Sequence, residues 1–295
     1  MEDGLTIETS LAKSSSPALE IRDLCIEVES LGEHRLAVDH LSLSVAPGES
    51  HGLVGESGSG KSLTLRAIMG LLGKGARMVS GSIHVLGREV IGPNVPQYDA
   101  SLRGLGVSMV FQEPAVALNP IMKVGRQIID AAQEHEGLGK AESRRRAIAL
   151  MRSVGIADPE ERFESYPFEL SGGMRQRVMI AAAIACKPKV LLCDEPTTAL
   201  DVTIQKQILA IFEHIREQGT ALLYVTHDLA VVSQLCSSLS IIYQGRIVEE
   251  GSLQSIFDDP QNDYTRKLLS STPYLKTSMH RTPKNGIDMD ERIKR

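Results

Sequence analysis

Apolar and polar positions alternate along residues 18–28 and again along 36–45, the two-residue period of strands that turn one face to a core. The polar stretch around Gly32 between them predicts a hairpin. Pro47-Gly48 turns the chain, and residues 51–54 form an apolar run that leads into a glycine-rich loop beginning at Gly55. Residues 62–72 then carry helical spacing. Strand, loop and helix in that order are what a phosphate-binding turn requires. Further strands are expected over 81–86 and 106–111, after which the pattern changes to amphipathic helices over 124–135 and 141–154, a helical insertion. Buried β-type runs resume at 190–193 and 221–225 with a helix over 204–218 between them, the rhythm of a parallel sheet.

With 295 residues, 42% of them hydrophobic, the chain suffices for one sizeable core and a smaller appended piece. A net charge of −5 and a pI near 5.9 lack the basic excess of a protein that wraps nucleic acid, which is therefore not expected as a partner. Cys25, Cys186, Cys193 and Cys236 form no C-x-x-C pair and read as buried, reduced thiols of a cytosolic protein. Residues 1–17 are acidic and then serine-rich, without the basic start and apolar stretch of a secretory signal, and read as a disordered extension. The polar segment from Thr277, with Pro283 and Asn285-Gly286, reads as a weakly ordered tail. No run approaches the roughly 18 apolar residues of a membrane helix, so any membrane association is expected to come through a partner. The eight histidines show no close metal-ligand spacing. Arg144-Arg145-Arg146 reads as the solvated face of a helix whose apolar side holds Ile148 and Met151.

The chemistry starts at Gly55-Glu56-Ser57-Gly58-Ser59-Gly60-Lys61-Ser62, a full G-x-x-x-x-G-K-[ST] match. Its glycines let the backbone form a nest of N–H donors around phosphates, and the following helix adds its positive end. Lys61 is expected to reach the β- and γ-phosphates and Ser62 to ligate Mg²⁺. A P-loop by itself leaves kinases, GTPases and many motors open. The run Val190-Leu191-Leu192-Cys193-Asp194-Glu195 narrows the choice, since a buried strand ending in two carboxylates suits Asp194 to the magnesium shell and Glu195 to the attacking water. An exposed acidic strand end is the plainer alternative, weakened by the Pro196-Thr197-Thr198-Ala199-Leu200-Asp201 segment that follows. A third motif, Leu170-Ser171-Gly172-Gly173-Met174, opens a small-residue helix running through Ala185. Standing alone it would be a serine cap on an ordinary helix.

In this order the motifs resemble those of ABC ATPases, and the resemblance covers residues 18–275. It implies an α/β fold: a P-loop (RecA-like) nucleotide-binding core with an antiparallel β subdomain and an inserted helical subdomain. The nucleotide-binding domain would span 18–255, with the helical insertion over about 113–175, and 256–295 would form a C-terminal extension and tail. In the family the signature residues, here Ser171, Gly172 and Gly173, bind the γ-phosphate of ATP held by the opposing subunit. Gln112 is similar to the Q-loop glutamine that contacts metal and lytic water, Asp201 to the D-loop residue that communicates across the dimer, and His227 to the switch histidine. The implied cofactors are ATP and one Mg²⁺ per nucleotide. The implied partners are a second ABC ATPase subunit, the same or paralogous, two transmembrane permease subunits and, indirectly, an extracytoplasmic solute-binding protein. The implied place is the cytoplasmic face of the inner membrane.

Finer texture resembles the oligopeptide, dipeptide and nickel importer branch. Met174 replaces the glutamine common at that signature position, and Phe111-Gln112-Glu113-Pro114, Leu118-Asn119-Pro120 and Asp201-Val202-Thr203 agree with the branch. Pro260, Tyr264-Thr265-Arg266, Leu268-Leu269 and Pro273 resemble its C-terminal extension, although Asn262-Asp263 stands where histidine-proline is usual. Some relatives hold an iron–sulfur cluster there on cysteines. No cysteine follows Cys236, so none is expected in this chain. No Phe, Tyr or Trp precedes Tyr98, and Val28 occupies the place where the family commonly stacks an aromatic on adenine, so similar use of ATP and GTP is expected. A soluble ABC ATPase acting in DNA repair or translation shares every catalytic motif and is the alternative, although neither a long coiled-coil insertion nor a second cassette is visible.

Overall fold

The computed structural model of the chain describes residues 16–30, 32–198 and 200–271. The expectations for residues 1–15 and for the tail from Thr277 lie outside them. Strands β1 (Leu19–Ser30) and β2 (Glu33–Val45) form the expected hairpin, and β4 (Ala76–Val85) and β5 (Arg88–Ile91) complete a four-stranded antiparallel sheet in the order β2-β1-β4-β5. β4 begins five residues before the expected strand because residues 76–80 pair with 25–28 of β1 through a bulge.

A six-stranded sheet is made of β3 (Ser50–Val54), β6 (Val107–Val110), β7 (Val190–Asp194), β8 (Ala221–Thr226), β9 (Ser238–Tyr243) and β10 (Arg246–Ser252), ordered β10-β9-β3-β8-β7-β6. All neighbours are parallel except β10, which pairs antiparallel with β9 at the edge. Its central strands β3, β7 and β8 are buried throughout because both faces are covered. Val190 and Leu192, with Leu223 and Val225, face a core shared with the antiparallel sheet. Leu191 and Cys193, with Leu222 and Tyr224, face the helices.

Helix α1 (Lys61–Ile68) follows β3 and stops four residues short of the expected end. Gly70 (φ 62) takes the left-handed conformation, its amide bonds Ala67 O at 2.9 Å, and the Leu71 amide reaches Arg66 O at 2.7 Å, a Schellman close. Between β6 and β7 lie α2 (Pro114–Ala117), α3 (Val124–Glu136), α4 (Lys140–Ser153), α5 (Pro159–Arg162) and α6 (Gly172–Ile184). Ile128, Met151 and Val178 join them in one core. The arginine run of α4 is not simply solvated: Arg146 donates to Ala185 O at 2.6 Å, capping the end of α6, and Arg144 lies 4.3 Å from the centre of the Phe163 ring. Helix α7 (Val202–Glu217) precedes β8, while α8 (Leu229–Leu235), α9 (Leu253–Asp258) and α10 (Asp263–Ser270) follow it. The strands β5, β9 and β10 and the helix α8 had no counterpart among the expected elements. Each has seven residues or fewer, too short for periodicity to separate strand from helix.

Candidate active site

The strand ends of a parallel sheet are where ligands bind, and four of the sequence motifs meet there. The P-loop joins β3 to α1. Gly60 caps α1 at φ 105, and a Cβ there would stand 2.6 Å from Ala37 O, so only glycine allows the loop to lie against β2. Gly55 is equally tight, its Cβ position lying 2.2 Å from Ile242 O on β9. Lys61 is buried, and its Nζ donates to Gly55 O at 2.7 Å and Glu56 O at 2.8 Å. Burial lowers the Lys61 pKa, while Glu195, Asp194 and Glu56 counter it. Within the loop Ser59 Oγ is buried without a hydrogen-bond partner, and Gly58 faces open space. Such a cradle, with an unused hydroxyl, a cation and the start of α1, fits an oxyanion such as a phosphate.

Asp194 ends β7 and accepts from Ser62 Oγ at 2.8 Å. Burial raises its pKa, with the Ser62 bond opposing and the Glu195 charge reinforcing the rise. A desolvated carboxylate beside a hydroxyl is a pair of hard oxygen donors whose charge calls for a cation, and it fits Mg²⁺. Gln112 follows β6 and lies with Asp194, Arg66, Phe111 and Val116 on the wall of a cleft of about 480 Å³.

Glu195 stands just past β7 with φ 42, a left-handed conformation rare outside glycine, and its amide donates to Val225 O at 3.0 Å. That bond to β8 holds the strained turn. Its Oε2 lies 3.1 Å from His227 Nδ1 and accepts from Thr198 Oγ1 at 3.0 Å. His227 is carried out of β8 by the turn into α8, whose cap Asp228 accepts from the Ala230 amide at 2.8 Å. Residues 32 positions apart in sequence thus share one hydrogen-bonding cluster.

The signature residues stand elsewhere. Ser171 and Gly172 are exposed at the start of α6, where Ser171 Oγ accepts from the Met174 amide at 3.3 Å, and the Cβ position of Gly173 is 3.3 Å from Ile204 on α7. Asp201 caps α7, accepting from the Thr203 and Ile204 amides at 3.0 Å each. The motifs gave no hint of Thr198 as a ligand of Glu195. Nor did they suggest that the Tyr264 hydroxyl would accept from the P-loop amide of Glu56, at 3.2 Å. Tyr264 had a signal in the sequence, its place in the C-terminal motif, but no indication of what it touches.

A P-loop on a parallel sheet, with an acidic strand end and a histidine turned toward it, defines the class of P-loop ATPases. Residues 38–198 match the ABC transporter family, and the chain belongs to that family as an ATP-binding and ATP-hydrolysing subunit. It is 44% identical over 263 residues to the peptidoglycan transport ATP-binding protein YejF of Agrobacterium fabrum, covering 88% of this chain and 48% of that protein. It is also 44% identical to the probable D,D-dipeptide transport ATP-binding protein DdpD of Escherichia coli, covering 88% of this chain and 79% of the other. The chain thus spans about half the length of the first relative and about four fifths of the second. A solved structure of an ATP-binding subunit of an ABC transporter superposes with a TM-score of 0.67 at 26% identity, over 86% of this chain and 98% of that one. Among the described residues no helix is long and apolar enough to cross a membrane.

Proposed function

We propose that the chain powers the import of di- or oligopeptides or related small solutes, working in a pair of ATPase subunits bound to two permease subunits at the cytoplasmic face of the inner membrane. The observation that carries the hydrolytic part is the convergence of two pairs, Ser62 with Asp194 and Glu195 with His227, beside Lys61. The P-loop amides and Lys61 hold the phosphates of ATP, while Glu195 takes a proton from an in-line water and His227 orients Glu195 and stabilises charge on the transferred group. Ser62, Asp194 and Gln112 would hold Mg²⁺, which supplies charge neutralisation when bound.

The second half of each site is supplied in trans. Ser171 and Gly172, both exposed, and the half-buried Gly173 form a helix N-terminus suited to the γ-phosphate of ATP held by a partner subunit. Asp201, exposed at the start of α7, accepts from the amide of Ile204, whose side chain approaches Gly173, and is assigned to the subunit contact. We assign residues 18–255 to the nucleotide-binding domain, about 113–175 to its helical insertion and 256–295 to the extension. Val116, 80% exposed on the wall of the cleft that holds Gln112, offers an apolar side chain for a permease segment. Peptides are favoured as the solute, over a DNA-repair or translation role, because relatives named for dipeptide and oligopeptide transport are 40–44% identical to this chain.

Purification of the tagged chain from membranes tests this reading. Two permease subunits are expected to accompany it, and in proteoliposomes a peptide-loaded binding protein should stimulate ATP turnover. Recovery as a freely soluble ATPase, with no membrane subunit and no stimulation, would refute the transport assignment.

A further inference from the structure

Helix α10 lies outside the matched region 38–198, yet it touches the P-loop directly. Tyr264 at its first turn accepts a hydrogen bond from the Glu56 amide at 3.2 Å, and its ring packs against Tyr243 with centroids 4.3 Å apart. Its position is fixed from two sides. Glu249 on β10 accepts from the amides of Gln261 and Asn262 at 2.7 and 3.1 Å, and Asn262 caps α10 through the Tyr264 amide at 2.8 Å. Arg266 donates to the carbonyls of Pro260 and Gln261 at 3.0 and 2.9 Å, closing the loop that enters the helix.

The other end of this chain of contacts is the backbone around Glu56. Lys61 grips the carbonyls of Gly55 and Glu56, the Ser59 amide reaches Glu56 O at 3.2 Å, and the Gly245 amide in the β9–β10 turn donates to Ser59 O at 3.1 Å. Tyr264 supplies the acceptor for the Glu56 amide, so the C-terminal elements hold the loop from outside while Lys61 holds it from within.

We propose that Tyr264 is a positioning residue for nucleotide binding: through its hydroxyl on the Glu56 amide, α10 presets the P-loop backbone that receives the phosphates. This rests on the P-loop being the nucleotide site. Tyr264 acts on the loop and does not touch the reacting atoms. A loop already in its binding conformation has less order to gain when the nucleotide arrives. The Glu56 bond lies outside the phosphoryl-transfer geometry, so it supports ground state and transition state alike. Its loss raises Kd and KM and leaves kcat unchanged.

The test is Tyr264→Phe in the full chain, which keeps the ring against Tyr243 and removes only the acceptor. Fluorescent-nucleotide titration, steady-state ATP hydrolysis, thermal melting and amide hydrogen exchange are measured on both proteins. The expected result is a Kd and KM for ATP raised about two- to tenfold, the usual reach of one hydrogen bond, with kcat and the melting temperature unchanged and faster exchange at the Glu56 amide. An unchanged Kd with unchanged exchange would overturn the assignment. So would a lowered melting temperature with unchanged KM, the mark of a merely structural tie. A wild-type chain that bound no nucleotide would overturn the P-loop reading beneath it, whereas wild-type binding with an indifferent Tyr264→Phe overturns the Tyr264 assignment alone.

Discussion

Replacing Glu195 by Gln removes one charge and alters almost nothing in shape. The Glu195 Oε2 accepts from Thr198 Oγ1 at 3.0 Å and lies 3.1 Å from His227 Nδ1. A glutamine oxygen can keep the first bond while its NH₂ faces a ring nitrogen. The left-handed backbone is held by the bond from the Glu195 amide to Val225 O, which the substitution leaves in place. Folding is therefore expected to survive. Lys61 feels the Glu195 charge, and without it the ammonium is freer to engage phosphates, so ATP binding is expected to equal or exceed that of wild type. What vanishes is the carboxylate proposed to take a proton from water. General-base catalysis is worth about 10²- to 10⁴-fold, or about 2.7–5.5 kcal/mol of barrier, and kcat should fall by that factor. Binding without turnover should accumulate an ATP-bound dimer. Phosphate release by the assembled transporter, nucleotide titration and light scattering measure the three consequences. Near-normal hydrolysis by Glu195→Gln would eliminate Glu195 as the base.

Gln112→Ala, on the cleft beside Asp194 and the exposed Val116, should impair solute uptake into vesicles more than ATP binding; uptake at the wild-type level would refute a coupling role. Wild type should use ATP and GTP alike, and Val28→Tyr should gain several-fold in ATP affinity if the new ring reaches the base, since an aromatic contact contributes about 0.5–1.5 kcal/mol. Val28 pairs with Arg35 and Ala76, and His34, the one ring nearby in sequence, is engaged with Glu27 at 2.9 Å, so a strong wild-type preference for ATP would contradict this expectation. Glu49 is held at about 2, against 4.5 for a free carboxyl, by His51 at 3.7 Å and by the Ser238 hydroxyl and Ala46 amide. The folded chain therefore binds fewer protons than the unfolded one, and this stabilisation is complete above pH 4.5 and lost as pH falls toward 2. Glu49→Gln should flatten the pH dependence of stability in that window, as read by denaturant melts, and an unchanged slope would show that Glu49 is not its source.

The sequence by itself determined the chemistry and the alternation of buried strands and helices. The P-loop glycines, the apolar run into Asp194-Glu195 and the serine ahead of two glycines are legible because each is local: spacing alone fixes which backbone amides and side chains can point together. The hairpin of β1 and β2 was legible for the same reason, its period of two surviving in a sheet with one exposed face. Folding in three dimensions decided the rest. That Glu195 and His227 meet depends on β7 and β8 being neighbours, and that Asp194 meets Ser62 depends on β7 ending opposite the start of α1; neither adjacency is written in either segment. Strand β9 inserts beside β3, which sets Ile242 against Gly55. Arg146 leaves the solvated face that its neighbours suggested because the end of α6 presents an unpaired carbonyl there. Tyr264 reaches the P-loop across 208 positions of sequence because a carboxylate on β10 fixes the start of its helix. Local patterns record what each segment can do, whereas long-range pairing is chosen by the burial of all segments together, and so it is read only in the folded chain.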